Sequence, residues 1–112
     1  MTNLTGVEAA ELAKMSKIIF DAEIATAKTR EASIRAEHGR VVALSAAKAE
    51  VEAALLARNE KVTESKVERD SRLHPIYLKG VEAEAVAARE HIEAVALLRF
   101  RERDFEIAKG AP

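Results

Sequence analysis

The chain has 112 residues, enough for one domain, and carries no cysteine, so neither a disulfide framework nor a thiolate zinc site is available to it. Apolar residues reach 48% but only three phenylalanines and one tyrosine are aromatic, while a third of the residues are charged, a balance typical of coiled coils and long helices. The formal net charge of −1 excludes a global electrostatic field that would recruit DNA or an anionic membrane, so recognition by charge must come from local segregation.

The first predicted element is a helix from about residue 6 to 59. Thr5 is its expected N-cap, with Glu8 completing a capping box. Proline is absent before Pro75, and Gly39 is the one glycine between Ser16 and Ile76. Leu12, Met15, Ile19, Ala22, Ala27, Ile34, His38, Val41, Leu44, Val51 and Leu55 recur at helical spacing and predict one stripe that keeps phase through Gly39. A kink or a close helix–helix approach is expected at that glycine.

Composition changes at Asn59. The stretch NEKVTESKVERDSRLHP holds no alanine, which predicts a connector over residues 60–73 with a turn near Asn59–Val62 and a short helix near Glu64–Arg72. Thr63, Ser65 and Ser71 are residue types that cap helices, and Ser65 with Glu68 has the spacing of a capping box. Proline fits the first turn of a helix, so His74-Pro75 predicts a new start, with His74 as cap, and the last helix runs from about 75 to 108. Its predicted seam is Leu78, Val81, Ala85, Ala88, Ile92, Val95, Leu98 and Phe105.

Two long helices and a short connector predict an all-α, coiled-coil-like antiparallel hairpin. Pairing helices of about 50 and 34 residues from the connector places Phe100 near Ile34 and leaves about residues 7–25 without an internal partner. Those residues include Leu12, Met15, Ile19, Phe20 and Ile24, the expected interface of a homo-oligomer.

Catalytic chemistry finds no foothold. Glu37-His38 and Glu90-His91 are sequence neighbours and point to different helix faces, so no metal is implied. No glycine-rich phosphate loop, nucleophile elbow or cysteine nucleophile is present, so neither an enzyme nor a cofactor is expected. Two groups of cations stand out instead: Lys28, Arg30, Arg35 and Arg40 on the first helix, and Arg99, Arg101, Arg103 and Lys109 on the last. Antiparallel pairing is expected to bring them to one height as a basic belt for a phosphate backbone, with Phe100 or Phe105 for stacking. Glu31, Glu37, Glu102, Asp104 and Glu106 lie among these cations, and internal pairing with them is the competing reading.

The segment SRLHPIYLKG with the later RFRERDFEIAKG resembles the core of UvsY-type recombination mediators of tailed phages, in Leu73, His74, Tyr77 and Leu78 and then Arg99, Arg101, Arg103, Phe105, Lys109 and Gly110. The connector KVTESKVERDSRLHPIY is also similar to that of small helical-hairpin proteins encoded near phage recombination genes. The resemblance covers about 45 residues, departs from the pattern at Pro75-Ile76, and leaves the long first helix without a counterpart. It implies a ring-forming helical protein that binds single-stranded DNA and helps load a recombinase onto strands covered by single-strand-binding protein. Arg99, Arg101 and Arg103 would be its backbone contacts. The expected setting is the cytoplasm of a bacterial or phage-infected cell, with no signal peptide and no membrane span. Two other functions fit the same residues: a structural or adaptor coiled coil that grips a protein partner, and a small inhibitor that docks on an enzyme.

Overall fold

The computed structural model describes residues 6–110, and these form an all-α fold of three helices: α1 (Gly6–Ala57), α2 (Glu64–Leu73) and α3 (Pro75–Gly110). The expected Thr5 cap lies outside the described residues. The fold is a helical hairpin with a short connector helix, and it divides into two compact units. One holds residues 32–88, and the other joins the two ends of the chain, 1–31 with 89–112.

The connector is built from local backbone chemistry. Asn59 takes a left-handed φ of 57°, the conformation asparagine tolerates better than most side chains. That lets the Glu60 N–H donate to the Leu55 carbonyl at 2.9 Å and the Asn59 N–H to the Leu56 carbonyl at 3.1 Å. The two bonds form a Schellman stop, which satisfies carbonyls at the end of α1. The N-cap of α2 is Thr63, whose hydroxyl accepts from the Lys66 N–H at 3.3 Å. This corrects the capping box expected at Ser65 and Glu68: Ser65 lies two residues too late, already inside α2. Thr63→Ala should cost about 1 kcal/mol, read as a lowered urea midpoint. A midpoint unchanged within error would show that water replaces the cap without loss.

His74 serves both of its neighbours. Its N–H donates to the Ser71 carbonyl, closing α2, and its Nδ1 accepts from the Ile76 N–H at 3.2 Å, opening α3. The extended backbone of His74 (φ −70°, ψ 137°) is what a following proline demands. Pro75 then sits at the first helical position, where its missing N–H leaves nothing unpaired.

In the unit of residues 32–88, α2 packs against the end of α1: Val67 joins Val51 and Leu55 in the hydrophobic cluster. Ser71 is fully buried and donates its hydroxyl to the Val67 carbonyl. The connector helix therefore supplies the first part of the returning arm, and α3 begins its pairing further down α1. The expected register treated the connector as a turn and is corrected on that ground. Phe100 is level with Phe20 rather than Ile34, because in the terminal unit the Thr26 hydroxyl reaches the Ala94 carbonyl and Thr29 reaches His91. The stretch about 7–25 thus has α3 beside it in its own unit, and Leu12, Met15 and Ile19 are half-buried while Phe20 and Ile24 are exposed.

The inward stripes also differ from the expected ones, by one residue. On α1 the stripe is right at Leu12, Met15, Ile19 and Ala22, and again at Leu44, Val51 and Leu55. Between them the covered residues are Thr26, Thr29, Ser33, Ala36, Arg40 and Ala43, while Ala27, Ile34, His38 and Val41 are exposed. On α3 the expected Ala88, Val95, Leu98 and Phe105 are covered, but Leu78, Val81, Ala85 and Ile92 are exposed and Tyr77, Gly80, Glu84, Ala87, His91 and Ala94 are covered beside them. The seam is heptad-spaced, as a long helix pair requires, but small and polar side chains fill its middle. Gly80 shows why: a Cβ there would lie 3.0 Å from the Ala43 Cβ and 3.2 Å from the Arg40 Cα. The close approach expected at Gly39 occurs at Gly80 instead, and α1 runs unbroken through Gly39, where an added Cβ meets nothing within 4 Å.

Candidate functional site

The cations expected to form a belt do not act as one group. In the unit of residues 32–88, Arg40 faces into the seam and its Nε donates to the Glu84 carboxylate. Hydrogen bonding to Glu84, then the charge of Glu84, then the Tyr77 hydroxyl hold the Arg40 guanidinium above its ordinary pKa. Arg40 is committed to the fold, and Arg35 also takes part in an interaction of its own. The glutamate that pairs with Arg40 is absent from the competing set of acids, because the true register brings Glu84 opposite it.

In the terminal unit, Lys28 and Arg30 are exposed on α1, and Arg99 and Arg103 are exposed on α3. The pairs Thr26–Ala94 and Thr29–His91 make Arg99–Arg103 level with residues 17–21. Lys28 and Arg30 lie about ten residues further along, roughly 15 Å at 1.5 Å per residue. The common height expected for the two groups is corrected accordingly. Lys17 takes the place that Lys28 and Arg30 were expected to fill. Nothing in its own neighbourhood marks it; only the register does.

Around Phe100 the chemistry is specific. The Phe100 ring is 59% exposed, and the Arg101 guanidinium lies 5.8 Å from its centroid, within cation–π range. Lys109 is 5.6 Å from the Phe105 ring and pairs with Glu106 at 3.5 Å, so it is partly spent. Among the described residues, none of Lys17, Arg99, Arg101 and Arg103 forms an ion pair with an acidic group. Glu102, Asp104 and Glu106 follow Arg99, Arg101 and Arg103 by three positions, a spacing at which helix side chains are neighbours, yet none of these pairs closes to an ion pair among the described residues.

Two polar features at the helix pairs are structural in geometry. The Thr29 hydroxyl and His91 Nδ1 are 2.9 Å apart across the terminal seam, and Thr26 also returns its hydroxyl to the Ala22 carbonyl. His38, expected at the core edge, is exposed. A surface cleft of about 330 Å³ in the other unit is lined by Lys48, Glu52, Val62, Glu64, Val67 and Glu68. Its charged pair, Lys48 with Glu68 at 3.8 Å, keeps nearly half of each side chain in water, which leaves a carboxylate there without the desolvation acid–base chemistry uses. No group of three or more metal-ligating side chains converges among the described residues. None of their helices is long and apolar enough to cross a membrane.

Comparison of the chain with family models, curated proteins and solved structures gives no match.

Proposed function

We propose that this chain is a non-catalytic accessory protein that binds single-stranded nucleic acid through the distal part of α3. One observation carries the reading: Arg99, Arg101 and Arg103 lack acidic partners among the described residues, and they flank an exposed aromatic ring. Guanidinium groups without internal partners are available to phosphates, and a ring exposed beside them offers a base a stacking surface. Lys17 adds a fourth cation at the same height. Accessory action beside a recombinase and a single-strand-binding protein extends the proposal on the strength of the sequence resemblance alone.

The test is fluorescence anisotropy of a labelled single-stranded oligonucleotide across a salt series. Three neutralised phosphates give a log–log slope of about −2, an affinity loss of about 20-fold between 50 and 200 mM salt. Charge reversal of Arg99, Arg101 and Arg103 together should abolish binding while helicity by circular dichroism is unchanged. Absence of binding by the unaltered protein at 50 mM salt would overturn the proposal. The second reading, an adaptor that grips a protein partner, is favoured by the sixteen large apolar side chains exposed among the described residues.

A further inference from the structure

The three phenylalanines of the chain all lie in the terminal unit, and their surroundings separate them. Phe105 is half-buried, and Lys109, the cation over its ring, is held by Glu106. Phe20 and Phe100 stand level with each other and are equally exposed, at 59%. Among the described residues no cation lies over the Phe20 ring, although Lys17 stands three positions before it. Phe100 alone of the three combines an open ring with a guanidinium over it that has no acidic partner among the described residues. The two open rings also emerge on opposite sides of the helix pair. Ile19 and Arg101 are covered residues of the seam, and Phe20 follows the one while Phe100 precedes the other. Successive residues advance by about 100° and the helices run oppositely, so a step forward on α1 and a step back on α3 lead to opposite sides. One base cannot touch both rings.

We infer that Phe100 sets the specificity of the nucleic-acid site: one unpaired base stacks on its ring, so the ligand is a strand whose bases are free rather than any polyphosphate of equal charge. The inference rests on the nucleic-acid reading and adds what the cations cannot supply, since phosphate contacts carry no information about the bases. In a duplex the bases already stack on one another and show no face to an outside ring, which leaves such a ligand with the cations only. Every base has a π-face, so the contact tolerates all sequences. Arg101 is a positioning residue. Its guanidinium, 5.8 Å from the ring centroid, restrains the ring before a base arrives and lowers the ordering cost of binding. Arg103, three positions after Phe100, is its neighbour on the helix surface and is placed for the phosphate beside a stacked base.

The chain has no tryptophan, so Phe100→Trp and Phe20→Trp each introduce a single indole, at positions of equal exposure and height. Both positions are exposed, so neither substitution disturbs the helix pair. A base stacked on an indole quenches its fluorescence. Oligothymidylate should quench Phe100→Trp, an abasic sugar–phosphate strand of the same length should not, and neither strand should quench Phe20→Trp. By anisotropy the unaltered protein should bind oligothymidylate about tenfold more tightly than the abasic strand, which is the worth of one base–aromatic stack. Phe100→Ala should remove that ratio and keep the affinity for the abasic strand. Arg101→Gln should narrow the ratio, and Arg101→Lys, which still offers a cation to the ring, should preserve it. Equal affinity of the unaltered protein for the two strands, or equal quenching at both indoles, overturns the inference and leaves binding by the cations standing. Failure to bind either strand at about 50 mM salt overturns the nucleic-acid reading itself, and the inference with it.

Discussion

Leu55→Ala should destabilise the chain by about 3 kcal/mol, within the range for removing a fully buried leucine. Leu55 is 1% exposed and sits between Val51 and Val67, where α2 is fixed to the end of α1. Truncation removes the side chain that links the two elements and leaves a void that neighbours can only partly fill, since Val67 is held by a ten-residue helix with one buried face. With a urea dependence of 1.5–2 kcal/mol per molar, the midpoint should fall by about 1.5–2 M. Leu56→Ala is the matched control. Its side chain is largely exposed, so its effect should stay within about 0.5 kcal/mol. Equal midpoints for the two variants would mean that the cluster around Leu55 contributes no more than surface residues do.

Alanine at the two internal glycines of the long helices should act with opposite sign. At Gly39 a new Cβ meets nothing within 4 Å, so Gly39→Ala gains helix propensity, about 1 kcal/mol of added stability. At Gly80 the same methyl meets the Ala43 Cβ at 3.0 Å and the Arg40 Cα at 3.2 Å, and neither atom belongs to a flexible side-chain end. The helices must separate to admit it. Overpacking of this kind costs about 1–3 kcal/mol, which outweighs the propensity gain, and Gly80→Leu should cost more again because its whole side chain enters the contact. Thermal unfolding followed at 222 nm decides the matter. Stabilisation by both alanines would show that α1 and α3 do not approach closely at Gly80.

The helices themselves are written locally. Good helix formers without proline carry α1 to Ala57, the asparagine and threonine around the turn stop one helix and start the next, and His74-Pro75 opens α3. The cationic residues of the distal α3 are equally visible, because their identity needs no partner. The choice between Thr63 and Ser65 as cap was less visible, since both residue types can accept the same bond and only the path of the turn selects one.

Which stripe faces inward was not written locally. Each long helix carries two adjacent candidates: large apolar residues such as Val41 and Leu78, and the small or polar series that includes Ala43 and Gly80. Ranking residues by hydrophobicity selects the first series for the seam. In the middle of both helices the structure uses the second, since Gly80 against Ala43 permits close backbone approach along a polar-tolerant seam that also pairs Arg40 with Glu84. Register followed the same logic: by packing Val67 against Val51 and Leu55, α2 became part of the returning arm and shifted every pairing beyond it. Composition and caps determined the all-α character and the element boundaries, because both depend on interactions within a few residues. The seam and the register, and with them the apolar side chains left outside, were decided by contacts between residues far apart in the chain.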